Sequence, residues 1–294
     1  MNMKVACVGE AMIELSMMGD TAGVGVAGDT LNTAIYLKRC APALQVDYVS
    51  CIGDDPFSQK IHEFIASQKI GCDHLVSLPD ATPGLYAITT TPDGERSFTY
   101  WRNASAARRM FQGGKEPDFS VLDSFDVVYL SGITMAILPH PVRLALLDWL
   151  AQSRVRFAYD SNFRPALWED AATARAVTSV LWARADIALP SVDDEMALFE
   201  QSAEDVARRF QDLGMAGALK QGADGPLSLG QDVQQSYPPA SKVLDTTAAG
   251  DSFNGGYLGA LLTGAGQAEA LMAGHACAAR VVAHRGAIIP PDAI

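Results

Sequence analysis

Short apolar segments alternate along the chain with longer segments whose apolar residues fall on one side of a helix. The short segments are bounded by Gly, Pro or Asp, which is typical of buried strands. We predict strands at residues 4–9, 46–53, 125–132, 155–160, 186–189 and 216–220. We predict helices at residues 30–40, 56–69, 141–151, 171–184, 193–200 and 204–213. This repeated order of strand and helix favours an α/β fold with a parallel sheet covered on both faces, in which ligands bind beyond the carboxyl ends of the strands.

One segment departs from this alternation and predicts a β-hairpin. Residues 85–91 and 96–102 are rich in Thr, Ile and aromatic side chains, and Pro92-Asp93-Gly94-Glu95 between them supplies the turn. Alternate residues of a strand share one face. On the second strand these are Arg96, Phe98, Tyr100 and Arg102, and on the first they are Tyr86 and Ile88. This face either lines a ligand site or packs on the body of the protein, as in an ordinary solvent-facing hairpin.

Composition narrows the class of protein. The chain has 294 residues, 49% of them apolar, and its 34 acidic and 22 basic side chains give a net charge of −12. The apolar content excludes disorder, and at about 150 residues per domain the length allows two units or one large one.

No cluster of Lys and Arg is present to bind a phosphate backbone, so we expect no nucleic-acid partner. No apolar run reaches the length of a membrane span and residues 1–10 predict a strand, so we expect no membrane partner and a cytoplasmic location.

The cysteines and histidines give no sign of a disulfide framework or a metal site. The five cysteines, Cys7, Cys40, Cys51, Cys72 and Cys277, are widely spaced and include no C-x-x-C pair. We therefore predict buried, reduced thiols. The five histidines lack the spacing of zinc ligands.

The clearest chemical signal lies in residues 245–258. The small residues Ala248, Ala249 and Gly250 leave the backbone uncovered where a helix begins, so several N–H groups and the positive end of the helix dipole point outward. Such a site attracts anions, and fixed N–H donors stabilise the charge of a phosphoryl group in transfer. Asp251, at the mouth of the same turn, could accept the proton of an attacking hydroxyl. In an isolated A-A-G-D sequence, such an acid more commonly only complements the helix dipole.

Two further groups of polar residues lie where ligands would bind. Residues 27–34 precede the first predicted helix, and Asp29, Thr30 and Asn32 there could hold a polyhydroxylated ligand or simply cap the helix. Asp160, Asn162 and Arg164 follow a predicted strand at alternate positions. All three could face the crevice beyond that strand, or they could form a salt-bridged loop.

These sites, in this order and spacing, resemble the two signatures of the ribokinase-like carbohydrate kinases. Residues 245–253 match the D-T-x-x-A-G-D-x-F box of that family, which is a specific motif. Within the family, the chain is most similar to the kinases of the sugar acid 2-keto-3-deoxygluconate, and the resemblance runs from Met3 to Pro290. The matching segments are residues 9–15, 28–32, 100–103, 162–165, 167–168 and 285–290.

The resemblance implies a fold, a reaction and partners. The fold would be a ribokinase-like three-layer α/β/α sheet in a single domain, residues 1–294, with a small β lid contributed mainly by about residues 10–20 and 85–103. The reaction would be ATP-dependent phosphorylation of the terminal C6 hydroxyl of 2-keto-3-deoxygluconate, giving 2-keto-3-deoxy-6-phosphogluconate. The sugar acid, ATP and Mg²⁺ would be the partners, and family analogy allows a homo-oligomer.

The resemblance also implies roles for individual residues. Asp251 would be the base, and the N–H groups of Ala248, Ala249 and Gly250 would form the anion hole. The implied substrate-binding residues are Gly28, Asp29, Asn32, Tyr86, Tyr100, Arg102, Arg164 and Asp251. The implied nucleotide-binding residues are Asn162, Arg164, Lys220, Gly222, Gly225, Ala248 and Gly250, and the helix near residues 275–279 would border the adenine pocket. An arginine fork suits the carboxylate of a sugar acid, and Arg102 is the first candidate for that contact.

Two motifs depart from the family pattern. Many relatives carry an N-x-x-E motif associated with magnesium, where this chain has Ser191 and Asp194. Asp194 would organise metal-bound water, and Glu195 could substitute for it. Many relatives also have glycine where this chain has Ala248, which is harmless if the φ of that residue is negative.

Three other functions compete with a sugar-acid kinase. A kinase of a neutral sugar, such as fructokinase or ribokinase, would not need Arg102 and Arg164. A non-catalytic sugar-binding protein would not need Asp251 and its small-residue turn. A dinucleotide oxidoreductase would carry G-x-G-x-x-G after the first strand, where this chain has Gly9-Glu10-Ala11-Met12.

Overall fold

The computed structural model describes residues 3–90 and 96–294. Its strands are β1 (Lys4–Val8), β2 (Met12–Met18), β3 (Thr21–Ala27), β4 (Gln45–Ile52), β5 (Leu75–Ser77), β6 (Gly84–Thr90), β7 (Arg96–Trp101), β8 (Val127–Ser131), β9 (Arg156–Asp160), β10 (Ile187–Ala188), β11 (Gly217–Leu219) and β12 (Leu227–Leu229). Its helices are α1 (Asp29–Cys40), α2 (Pro56–Ser67), α3 (Gly132–Ile137), α4 (His140–Gln152), α5 (Ala171–Arg184), α6 (Val192–Phe199), α7 (Ala203–Asp212), α8 (Ala249–Leu262) and α9 (Gln267–Val281).

Eight strands form a central sheet in the order β12-β11-β10-β9-β8-β1-β4-β5. Neighbouring strands are parallel except β12, which runs antiparallel to β11. The apolar side chains of α4 to α7 pack on one face of this sheet, and those of α1, α2, α8 and α9 pack on the other. The predicted three-layer α/β/α architecture is confirmed, and each of the six predicted strands is present within two residues of its predicted ends.

Local capping explains why the predicted helices begin where they do. Asp55 accepts hydrogen bonds from the N–H groups of Phe57 at 2.8 Å and Ser58 at 3.2 Å, and Pro56 occupies the first turn of α2. Asp170 accepts a hydrogen bond from the N–H of Thr173 at 2.7 Å at the start of α5. A short acidic side chain before a helix satisfies N–H groups that the helix itself leaves unbonded. These signals are local, so the sequence is sufficient to find them.

A second sheet of four strands, in the order β3-β2-β6-β7, contains the predicted hairpin and the two predicted lid segments. β6 and β7 are antiparallel and pair Tyr86 with Tyr100 and Ile88 with Phe98, as the two-residue period predicts. The predicted turn at residues 92–95 and the side chain of Arg96 lie outside the described residues. β3 was not predicted, because its sequence, Thr-Ala-Gly-Val-Gly-Val-Ala, has weak strand propensity. Its pairing with β2 makes this segment a strand.

Two other sequence-based expectations concern the thiols and the membrane. Cys7, Cys51 and Cys277 are buried and the cysteines are free, as predicted. The prediction of burial is wrong for Cys40, which is exposed at the end of α1, and Cys72 is only partly buried.

Within residues 3–90 and 96–294, no helix combines the length and the apolar character that a membrane span requires.

Candidate active site

Two neighbouring cavities lie beyond the carboxyl ends of the parallel strands. The first, called the central cavity, has a volume of about 530 Å³ and is bounded by residues that include Lys220, Gly250 and His275. The second, called the hairpin cavity, has a volume of about 360 Å³ and is bounded by residues that include Gly28 and Tyr86. Three residues, Asn162, Arg164 and Asp251, line both cavities. A ligand in one cavity is therefore separated from a ligand in the other by these side chains.

The two sets of predicted binding residues divide between these cavities. The hairpin cavity is lined by every predicted substrate-binding residue: Gly28, Asp29, Asn32, Tyr86, Tyr100, Arg102, Arg164 and Asp251. The central cavity is lined by every predicted nucleotide-binding residue: Asn162, Arg164, Lys220, Gly222, Gly225, Ala248 and Gly250. Ala249, Asp194, His275 and Ala278 also line the central cavity. The predicted substrate-binding and nucleotide-binding residues, which are far apart in the sequence, thus line two neighbouring cavities. The wall between these cavities is formed by Asn162, Arg164 and Asp251.

Asp251 lies in the first turn of α8 and is held by α1. The Asn32 side chain donates a hydrogen bond from Nδ2 to Asp251 Oδ2 at 2.8 Å, and the Thr33 hydroxyl donates to the backbone carbonyl of Asp251 at 3.3 Å. The pKa of Asp251 is raised from 3.8 to about 8, chiefly by burial and then by the charges of Asp29 and Asp160, against the opposing effects of Asn32 and Lys220. Asp251 is therefore a carboxyl group whose proton affinity suits a base working near neutral pH.

The turn before Asp251 lines the central cavity with Thr246, Ala248, Ala249 and Gly250. Within the described residues, the N–H groups of Ala248, Gly250 and Asp251 have no hydrogen-bond acceptor. The N–H of Ala249, predicted to belong to the anion hole, donates instead to the carbonyl of Thr246 at 3.1 Å. The tight turn that begins α8 therefore uses that donor internally, and a role for Ala249 in an anion hole stays a prediction.

Ala248 adopts the left-handed conformation, with φ +60°. The condition under which alanine would be harmless there, a negative φ, is therefore not met. This conformation costs a non-glycine residue roughly 1–2 kcal/mol, so the surrounding contacts must hold it. Asp245 supplies such contacts, since Oδ1 accepts from the N–H and hydroxyl of Thr247 at 3.0 and 2.7 Å and Oδ2 accepts from the N–H of Gly286 at 2.7 Å.

A positive charge stands beside these N–H groups. Lys220 Nζ lies 2.5 Å from Asp160 Oδ2 and 3.1 Å from Asn254 Oδ1, and a Cβ atom added to Gly250 would lie 3.7 Å from Nζ. Asn254 Nδ2 also donates to Asp160 Oδ2 at 2.6 Å. Asn254 was not among the predicted residues, and the available signal was a polar residue three positions after Asp251, before the largely apolar remainder of α8.

The two predicted arginines are in different environments. Arg102 is buried and forms an ion pair with Glu10, which is 1% exposed, and Gly84 leaves the space that the Glu10 carboxylate occupies. Glu10 was not among the predicted site residues. Arg164 is about half exposed, at 51%, and donates from Nη1 to Asp194 Oδ1 at 3.0 Å. Because Arg102 already has a buried partner, Arg164 is the guanidinium with more freedom to reach an anionic ligand.

Polar contacts also hold the loop after β9 against the start of α1. Asn162 Nδ2 donates to Asp29 Oδ2 at 2.9 Å, and the Ser131 hydroxyl donates to the same oxygen. Asp160, Asn162 and Arg164 all line the central cavity, so the interpretation that these alternate residues face the crevice is confirmed. The tyrosines of the hairpin contact each other, with ring centroids of Tyr86 and Tyr100 5.6 Å apart, and the hydroxyl of Tyr86 donates to Glu14.

The candidate metal ligand Asp194 has a carboxylate at the central cavity, and burial raises its pKa while Arg164 opposes that rise. Glu195 cannot substitute for it, because its side chain is fully buried, pairs with Arg209 at 2.6 Å and lines neither cavity. Among the residues that the structure describes, no group of three or more His, Cys, Asp or Glu side chains could hold a metal ion. A magnesium ion that keeps most of its waters needs only one or two carboxylates, so Asp194 has suitable donor chemistry.

Comparison with known proteins places this geometry in a family. The model described as pfkB family carbohydrate kinase matches residues 2–294. The 2-dehydro-3-deoxygluconokinase of Escherichia coli (strain K12) is 39% identical over 307 residues, covering 100% of this chain and 99% of that protein. The crystal structure of a PfkB protein from Polaromonas sp. JS666 has a TM-score of 0.82 at 27% identity and covers 97% of this chain and 96% of its own.

The crystal structure of the fructokinase of Vibrio cholerae O395, in its fructose, ADP and calcium ion bound form, has a TM-score of 0.81 at 23% identity. It covers 97% of this chain and 94% of its own, and at this identity the likeness shows the fold alone. These structural likenesses confirm the ribokinase-like fold that the sequence implied. With a family model matched along nearly its whole length and a relative 39% identical over the full chain, this protein belongs to the pfkB family of carbohydrate kinases.

Proposed function

We propose that this chain transfers the terminal phosphoryl group of ATP to the C6 hydroxyl of 2-keto-3-deoxygluconate, which is the same compound as 2-dehydro-3-deoxygluconate. The product is 2-keto-3-deoxy-6-phosphogluconate. The observation that carries the proposal is the position of Asp251, which lines both cavities and stands beside the N–H groups that begin α8. The name of the Escherichia coli relative supplies the specific sugar acid.

In this proposal, the hairpin cavity holds the sugar. Asn32 Oδ1 and Arg102 Nε are buried atoms without a hydrogen-bond partner among the described residues, and both side chains line this cavity. Buried polar atoms of this kind gain from a ligand that supplies hydroxyl and carboxylate groups. Two guanidinium groups, those of Arg102 and Arg164, favour an acid over a neutral sugar. The four-stranded sheet would act as a lid that keeps water from the sugar and the phosphoryl donor.

The central cavity holds the nucleotide in the same proposal. Asp251 removes the proton of the C6 hydroxyl, whose oxygen then attacks the phosphoryl group on the other side of the shared wall. The N–H groups of Ala248, Gly250 and Asp251 and the ammonium of Lys220 stabilise the charge that spreads over the transferred oxygens. Mg²⁺, when bound with the nucleotide, would neutralise phosphate charge, and Asp194 would hold it through water.

The experiment that tests the proposal is an ADP-release assay of the wild type and Asp251→Asn with 2-keto-3-deoxygluconate, fructose and ribose. We expect turnover with the sugar acid and a loss in kcat of roughly 10²-fold or more in Asp251→Asn, the usual scale for removing a general base. Asp118→Asn, at an exposed acid outside both cavities, is the matched control. Unchanged turnover in Asp251→Asn would reject the assigned base, and preference for fructose would reject the substrate.

A further inference from the structure

Two cysteines separated by 237 positions meet at the junction of α1, α8 and α9. Cys40 is the last residue of α1 and is exposed, whereas Cys277 lies within α9 and is 2% exposed. Their sulfur atoms are 3.9 Å apart. Neither residue lines the central cavity or the hairpin cavity. The kinase chemistry therefore gives this pair of thiols no role.

Two glycines in α8 allow the two thiols to meet. A Cβ atom added to Gly256 would lie 2.9 Å from the Cβ of Cys277, and one added to Gly259 would lie 3.2 Å from the Cβ of Cys40. Residues three positions apart share one face of a helix, so the two glycines form a smooth surface on α8. Because no side chain stands out from this surface, α1 and α9 bring their cysteines together beside it.

The two thiols differ in their tendency to ionise. The hydrogen bond with Cys277 lowers the pKa of Cys40, and the charges of Arg280 and Arg39 lower it further against the effect of burial. The same contact, with burial, raises the pKa of Cys277, which therefore keeps its proton. Burial raises the pKa of Cys51 to about 11 and also raises that of Cys72. Cys40 thus combines exposure with thiolate character, which is the condition for a reactive cysteine.

We propose that Cys40 and Cys277 are a redox pair that closes reversibly to a disulfide linking α1 to α9. With hydrogen peroxide as the oxidant, the Cys40 thiolate attacks one oxygen, the O–O bond breaks, and Cys40 becomes a sulfenic acid while hydroxide leaves and is protonated to water. The Cys277 thiol then attacks the Cys40 sulfur, the S–O bond breaks, and the departing hydroxyl leaves with the Cys277 proton as a second water. Two thiols lose two electrons and two protons, and one peroxide is reduced to two waters.

The test is to oxidise the full chain with hydrogen peroxide, alkylate the remaining thiols and measure its intact mass and its cross-linked peptides. We expect the oxidised wild type to carry two fewer alkyl groups than the reduced chain and to have lost 2 Da before alkylation. It should give one cross-linked peptide containing Cys40 and Cys277 and recover both thiols in dithiothreitol. Cys40→Ser should form no cross-link. In Cys277→Ala, Cys40 should stop at the sulfenic acid and react with dimedone. Cys72→Ser is the matched control and should behave as the wild type.

Thermal unfolding supplies a second measurement that does not depend on the Cys277 variant. A disulfide between residues 237 positions apart restricts the unfolded chain strongly, so the oxidised wild type should melt at a higher temperature than the reduced form, and Cys40→Ser should show no such rise. The proposal is overturned if oxidised wild type carries no Cys40–Cys277 peptide, or if its Cys40 reacts with dimedone as completely as in Cys277→Ala.

Discussion

At the scale of single residues, the site depends on groups that are held in costly states. Ala248 keeps a left-handed backbone, and Asp251 keeps a carboxyl group in surroundings that disfavour its charge. The ion pair between the buried side chains of Glu10 and Arg102 offsets the free-energy cost of removing both charges from water. Such arrangements persist where the surrounding structure holds them, and they are common where a protein must bind or react.

The raised pKa of Asp251 predicts how activity depends on pH. A base must be unprotonated, so kcat/KM of the wild type should rise with pH and level off above about 8. The measurement is a pH profile of initial rates at low concentration of the sugar acid. A kcat/KM that is flat below pH 8 would contradict this assignment of the pKa.

The raised pKa of Asp251 also makes the stability of the folded protein depend on pH. The folded state holds the Asp251 proton more tightly than the unfolded chain, so the stability that this proton contributes is lost as pH rises from 3.8 to about 8. Asp251→Asn removes this titrating carboxyl group, so the melting temperature of the variant should rise relative to that of the wild type between pH 3.8 and about 8. Melting curves of both proteins at several pH values check the sign, and a melting temperature of Asp251→Asn that falls relative to that of the wild type as pH rises would contradict it.

At the scale of elements, the position of Asp251 depends on how closely α1 approaches α8. Asn32 in α1 reaches Asp251 in α8, and Gly255 makes the approach close. A Cβ atom added to Gly255 would lie 2.5 Å from the Cβ of Tyr36 and 2.7 Å from the backbone nitrogen of Leu37. Both contacts are too short to persist, so any larger side chain must separate the two helices.

Gly255→Ala is therefore expected to destabilise the protein by about 1–3 kcal/mol, the usual scale for overpacking, and to lower kcat by displacing Asn32 from Asp251. Urea unfolding and initial rates measure the two effects. Gly113→Ala is the matched control, because an added Cβ there meets nothing within 4 Å. Equal stability and activity in the two variants would show that the approach of α1 to α8 does not set the site.

At the scale of the whole molecule, the site joins two sheets and both layers of helices. The four-stranded sheet contributes Tyr86 and Tyr100 to the hairpin cavity, and the loops beyond the central sheet contribute Asn162 and Arg164. A ligand in this cavity contacts parts of the chain that separate on unfolding. Binding should therefore stabilise the folded protein as a unit.

We expect 2-keto-3-deoxygluconate at about 100 times its dissociation constant to stabilise the protein by about 2.7 kcal/mol. The measurement is thermal unfolding with increasing sugar acid, with fructose at the same concentrations as the control. Asp251→Asn should keep most of the shift, since its loss is expected in kcat. A shift of equal size with fructose would contradict the proposed preference for an acid.

The sequence by itself determined the order of the main strands and helices, the three-layer architecture and the residue sets of the two cavities. The order of the main strands and helices follows from local information, namely apolar periodicity and the capping residues Asp55 and Asp170. The residue sets of the two cavities follow instead from the resemblance to the ribokinase-like kinases, which includes the motif that ends at Phe253. The short strands β5 and β12 have three residues each, too few for a periodic signal, and β3 depends on its partner strand.

Only the tertiary structure decided which of these residues touch. Glu10 meets Arg102 across 92 positions and Asn32 meets Asp251 across 219. The turn conformation of Ala248 and the internal use of the Ala249 N–H are set by the same assembled surroundings. The physical reason is that these contacts become favourable only after the core has brought distant segments together, because the free energy for their burial comes from packing that no local segment contains.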